Sequence, residues 1–120
     1  MSQKAIHLKR YETFRADAYR AENSAEIRVE AWFLAAFHHI DACAARLGRH
    51  IGKHQNVRKE LEANERIFGT RTRDVWQSFQ ELETRVRPKF VYGSEWTAKD
   101  LTLAQQLFES IEERCREALS

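Results

Sequence analysis

The sequence predicts an all-α protein, an up-down bundle of four to five helices forming one domain over residues 1–120. Three observations carry that expectation. Apolar residues recur at spacings of three and four along most of the chain. Punctuation is scarce: one proline and four glycines favour long helices over many short strands. A chain of 120 residues with 42% hydrophobic side chains is also long enough to bury a core without disulfides or a structural metal.

The first helix is expected over 3–22, where Leu8, Tyr11, Phe14 and Ala18 form one stripe. Asn23-Ser24 breaks it, and Ser24 is placed to cap the next helix. That second helix, over 25–47, is the hydrophobic centre. Phe33, Phe37, Ile40, Ala44 and Leu47 share a face, and Trp32, Leu34, Ala36, Ala42, Cys43 and Ala45 widen it, which marks a central helix. Gly48 is the residue that ends it. Residues 49–55 read as a connection, followed by a short helix over 56–63 with Val57 and Leu61 inward. Thr70 or Thr72 is expected to cap a helix over 73–86 carrying Val75, Trp76, Phe79, Leu82 and Val86, with Pro88 stopping it. The aromatic segment 89–96 then reads as a loop packed back on the bundle. Thr97 and Asp100 form a capping box for the last helix, over 98–118, whose Leu101, Ala104, Phe108, Ile111, Cys115 and Ala118 give the cleanest amphipathic pattern.

The formal net charge of +2 says little about partners, but charge is distributed in blocks. The most basic block is 46–59, which carries Arg46, Arg49, Lys53, Arg58 and Lys59 and no acid. Cys43 and Cys115 fall on or beside apolar faces and read as buried free thiols, which makes a cytoplasmic location the default. The longest uncharged apolar run, 31–40, is half of the ~20 residues that a membrane span needs. Neither a signal peptide nor membrane insertion is expected.

Within the basic block, Arg49 and His54 are the candidate catalytic residues. Arginine binds a phosphate through two donors, and histidine exchanges a proton near neutral pH. Together such groups can orient an RNA phosphodiester, activate its 2′-hydroxyl and stabilise the developing charge without a metal. Arg46, His50, Lys53 and Arg58 are candidate phosphate contacts beside them. Arg85 and Arg87, close to Phe90, Tyr92 and Trp96, form a second basic and aromatic candidate for single-stranded nucleic acid. The bland alternative for these residues is a solvated connection, with core-facing aromatics behind it. Metal ligation is not expected: His50 and His54 are four apart and His38 and His39 adjacent, but no set of three or four ligands is visible. No cofactor is expected, since the Gly-rich phosphate loop and the Gly-x-Ser-x-Gly motif are both missing.

The order of these features resembles a known family. A long helix with Val29 to Ile40 is followed by Gly48, His54, and Val57-Arg58 opening a short helix. Then come an inward-facing helix ending Arg85-Val86-Arg87, the aromatic pair Tyr92-Gly93, and a Thr-capped final helix. Over roughly residues 25–118 this pattern is similar to the HEPN superfamily (higher eukaryotes and prokaryotes nucleotide-binding). The resemblance implies a helical bundle that often forms a homodimer. It implies RNA or nucleotide binding and, in many members, metal-independent ribonuclease activity from an Arg, four to six residues, then a His. Arg49, polar His50 and His54 satisfy that spacing in the connection after the second helix, whereas the family's motif usually lies on a late helix. The resemblance also implies a nucleotidyltransferase as a partner protein, as in toxin–antitoxin pairs. The alternative reading is a non-catalytic interaction or dimerisation module, motivated by the wide apolar surface of the second helix.

Overall fold

The computed structural model describes residues 2–93 and 95–120; Met1, and Ser94 within the segment expected as a loop over 89–96, lie outside them. Among the described residues the regular secondary structure is all helical, with no strand. Helices α1 (Gln3–Ala18), α2 (Ala25–Ala45), α3 (Val57–Ala63), α4 (Thr72–Glu81), α5 (Arg87–Val91) and α6 (Ala98–Leu119) follow in order, with a wide π turn over Leu82–Val86 joining α4 to α5. This is the all-α bundle that the sequence predicts.

Local chemistry sets most of the boundaries. Ser24 Oγ accepts the Ile27 N–H at 3.2 Å and starts α2. At its other end Gly48, with φ of 73°, supplies the left-handed residue of a Schellman motif. The Gly48 N–H donates to the Ala45 carbonyl and the Arg49 N–H to that of Ala44, both at 3.0 Å. Thr97 and Asp100 make the reciprocal capping box that opens α6. Helix α1 ends at Ala18, the last residue of its stripe and four residues short of the expected 22, and two side chains take its last carbonyls: Asn23 Nδ2 donates to Asp17 O at 2.9 Å and Arg28 Nε to Ala18 O at 2.8 Å.

Two expectations give way to the structure. Neither Thr70 nor Thr72 caps α4; Thr72 is its first residue and its hydroxyl donates back to the Gly69 carbonyl at 2.7 Å. Pro88 does not stop the helix. A proline in a regular helix lacks an N–H and its ring collides with the carbonyl four residues back. Here the π turn widens the backbone before the ring arrives, so Pro88 falls in the first turn of α5, where no N–H is needed. The chain therefore stays helical to Val91 and buries Phe90, on which Trp96 stacks with centroids 4.9 Å apart.

Helix α2 runs through the middle. Its Trp32, Phe33, Ile40 and Cys43 are buried, together with Val57 and Leu61 of α3, Val75 and Phe79 of α4, Leu82 and Val86 of the π turn, and Phe108 and Ile111 of α6. Cys43 and Cys115 are both buried and unpaired, and burial pushes the Cys115 thiol up. Among the described residues no helix is long and apolar enough to cross a membrane.

Candidate functional site

Antiparallel packing of α1 on α2 sets the N-terminal turns of α1 against the C-terminal end of α2 and the connection that leaves it. Two basic stretches that are distant in sequence thereby meet at one end of the bundle. Arg46, Arg49, His50 and Lys53 are all exposed there. Arg10 of α1 lies near enough to His7 and His38 for its charge to disfavour their protonation.

Asp41 holds this connection in shape. Its side chain is fully buried, and its two oxygens accept the Ile51 N–H at 3.0 Å and the Gly52 N–H at 3.4 Å. Ile51 is buried as a result, and Gly52 turns the chain with φ of 78°. His7 and His50 approach the same carboxylate, and His38 contacts His7 Nδ1 to Nδ1 at 3.0 Å. Burial pushes the imidazole of His38 down to about 4, and that of His7 down as well despite the neighbouring Asp41. Of the described residues, His7, Asp41 and His50 are the set that could hold a metal ion.

His54 leaves this cluster and opens a second feature. It stands at the start of the turn leading into α3, with its Nδ1 2.5 Å from Glu83 Oε2 of the π turn. Its ring meets Phe33 edge-on at 5.1 Å. A groove of about 150 Å³ between α3 and the α4–π segment exposes this pair beside Arg58, Trp76, Gln80 and Thr84. The Arg58 guanidinium lies 3.9 Å from the centroid of the Trp76 ring and donates to Glu62 and Gln80. A histidine held by a carboxylate through one ring nitrogen presents the other for proton transfer.

Arg49 does not share that groove. It lines a separate cleft of about 300 Å³ with Leu47, Asn64 and Arg66. Within one chain, the cation beside His54 is Arg58. Arg85 is exposed, with Glu81 at 3.9 Å. Arg87 is bound to Glu30 through two donors, at 2.8 and 3.1 Å, and its guanidinium lies over the Phe33 ring at 4.5 Å. Its fork is thus occupied by the protein itself, which also raises its affinity for its proton.

Sequence reasoning missed His7, Asp41, Glu83 and Glu112. His7 takes an inward position beside the Leu8–Tyr11 stripe. Glu112, on the last helix, is buried and accepts from Tyr11 and, at 2.6 Å, from Arg15 Nε. The available signal was periodicity, since both lie at helical spacing from core residues. No family model, curated protein or solved structure matches the chain.

Proposed function

We propose that this chain is a HEPN-like RNA- or nucleotide-binding protein whose basic end carries the phosphates, and that His54 gives it metal-independent ribonuclease activity. The observation that carries this reading is a histidine fixed by a carboxylate in a groove shared with Arg58, on the segment that also carries the exposed cations Arg46, Arg49 and Lys53. Exposed cations bind a polyanion by releasing its counterions, without sequence preference. Once His54 Nδ1 is held by Glu83, its Nε2 is the nitrogen that takes the proton from a 2′-hydroxyl. Arg58, in the same groove, is placed to stabilise the negative charge that grows on the phosphorus oxygens. Trp76 behind it offers a face on which a base can stack. Arg49 serves binding in this scheme. A cytoplasmic homodimer, paired with a nucleotidyltransferase, is the setting the family resemblance supplies.

The test is a labelled single-stranded RNA incubated with the purified protein, with and without EDTA, beside Arg49→Ala, Arg58→Ala and His54→Ala. Cleavage is expected to survive EDTA, to be lost in His54→Ala and Arg58→Ala, and to weaken through binding in Arg49→Ala. Affinity should fall steeply as salt rises from roughly 50 to 200 mM. Equal cleavage by all four proteins removes the catalytic assignment, and salt-independent or absent RNA binding removes the polyanion reading.

A further inference from the structure

The phosphate-binding reading assigns no role to His7 or Asp41, which meet His50 inside the basic end. His7 is 4% exposed and its Nε2 is buried without a hydrogen-bond partner among the described residues. Asp41 Oδ2 lies 3.4 Å from that nitrogen. His50, brought in by the connection, places its Nδ1 3.7 Å from the same oxygen. All three atoms lie within 4.8 Å of one another.

These separations have a natural scale. A four-coordinate ion bound at ~2.0–2.1 Å by imidazole nitrogen and carboxylate oxygen holds its ligand atoms about 3.4 Å apart. The two edges to Asp41 Oδ2, 3.4 and 3.7 Å, are close to that spacing and longer than a hydrogen bond prefers, and the third lies within 4.8 Å. The surroundings are those of a prepared site as well. His38 Nδ1 lies 3.0 Å from His7 Nδ1, and with His7 as the donor of that contact its Nε2 keeps the lone pair that a metal needs. The Ile51 and Gly52 N–H groups hold the Asp41 carboxylate in place. Gly52, with φ of 78°, makes the left-handed turn that follows His50. The His50 side chain is 62% exposed, so the site opens to solvent on that side.

We propose that His7 Nε2, Asp41 Oδ2 and His50 Nδ1 bind one divalent transition-metal ion of the Zn²⁺ class, with water as the fourth ligand. Two imidazoles with one carboxylate suit Zn²⁺, Co²⁺ or Ni²⁺, whereas Mg²⁺ and Ca²⁺ prefer all-oxygen sets. The ion ties α1, α2 and the connection 46–53 together from inside, and thereby orders the exposed cations around it. Its bonds to three separate segments make it a brace for that end of the bundle.

The experiment uses the full chain without a histidine tag, stripped with EDTA, dialysed, and titrated calorimetrically with Zn²⁺ alone. One ion per chain is expected. His50→Ala, a change at an exposed side chain, should keep the helical circular dichroism and weaken Zn²⁺ binding more than about 10-fold. His54→Ala should leave binding unchanged. Co²⁺ should give the intense visible bands of a tetrahedral centre in the wild type and in His54→Ala, and lose them in His50→Ala. Absence of saturable Zn²⁺ binding, equal binding by His50→Ala, or a Co²⁺ spectrum like that of the hydrated ion would overturn the proposal. No RNA is present in the titration, so its outcome is separate from that of the ribonuclease test.

Discussion

Helix α2 separates two interfaces of opposite chemistry. Towards α4 and α6 it is dry. Phe33 stacks on Phe79 with centroids 5.3 Å apart, and Ile40, Leu82 and Phe108 are fully buried. Towards α1 it is lined with polar groups. His38, His39 and Asp41 face His7 and Tyr11, His39 stacks on Tyr11 at 3.8 Å, and Glu112 reaches across from α6. The dry side asks of a residue chiefly that it be apolar and of suitable volume. On the polar side each group must also find its partner, because a buried donor or acceptor without one is costly. A bundle of this size needs the first interface to fold. The second is more specific than folding requires, and it is the one that adjoins the basic end.

The largest expected loss is on the dry side. Phe79→Ala should cost about 3–5 kcal/mol in urea unfolding, through lost transfer energy and the cavity left against Phe33. Asp41→Ala comes next, at about 3 kcal/mol in EDTA-containing buffer, because it strands the Ile51 and Gly52 N–H groups. The comparison is sharpest for conservative changes. Leu82→Met should cost under about 1.5 kcal/mol, since volume is kept. Asp41→Asn, equally conservative in volume, should cost more, because one acceptor oxygen becomes a donor that faces an N–H. If Asp41→Asn proves the milder of the two, the distinction between the interfaces fails.

Glu112 adds a pH dependence of known sign. Burial pushes its carboxyl up, but hydrogen bonds from Arg15 and Tyr11, and the nearby charges of Arg15 and Arg116, outweigh this and leave it below its ordinary value. A carboxylate depressed in the folded state stabilises above the unfolded value, about 4.5, and that stability is lost as pH falls through the lower folded one. Tyr11 behaves oppositely. Burial and Glu112 push its hydroxyl up to about 12, so the folded state keeps a proton that the unfolded chain releases near 10. Stability should therefore also decline as pH rises from 10 towards 12. Glu112→Gln should lose about 1–3 kcal/mol at neutral pH and flatten the acid limb of a melting profile taken between about pH 5 and 3. An acid limb as steep as that of the wild type would show that other carboxylates set it.

How far the sequence exposes these features follows from the range of the interactions. The Ser24 cap, the Gly48 motif and the Thr97–Asp100 box join residues a few positions apart, so their signals are local and legible. The apolar stripes of α2 and α6 are legible for the same reason. Pro88 misleads because its rule assumes a regular helix, and a wider turn of the backbone evades the clash. Arg87 reads as a free cation until Glu30, on another helix, occupies it. His54 stands out in the sequence, but its partner Glu83 is one acid among 18 Asp and Glu residues. The polar interface is the least legible part, since a buried Asp41 or Glu112 has the composition of a surface residue and gains its meaning from groups on other helices.

The smallest change in stability is expected where the proposed binding is concentrated. Arg46, Arg49 and Lys53 are exposed, within a few residues of Ile51 and Gly52, which the buried Asp41 anchors. Surface substitutions away from caps and buried networks stay within about 0.5 kcal/mol, and removing three like charges that repel one another offsets part of even that. The triple variant Arg46→Ala/Arg49→Ala/Lys53→Ala should therefore melt close to the wild type and yet lose most of its affinity for single-stranded RNA. Each phosphate contact removed should also reduce the salt slope by about 0.7. Asp41→Ala should give the reverse pattern, a large stability loss with the cations still present. Should the triple variant unfold as readily as Asp41→Ala, the cations belong to the same structural network as the polar interface, and the basic end is a brace for the fold with no separate binding surface.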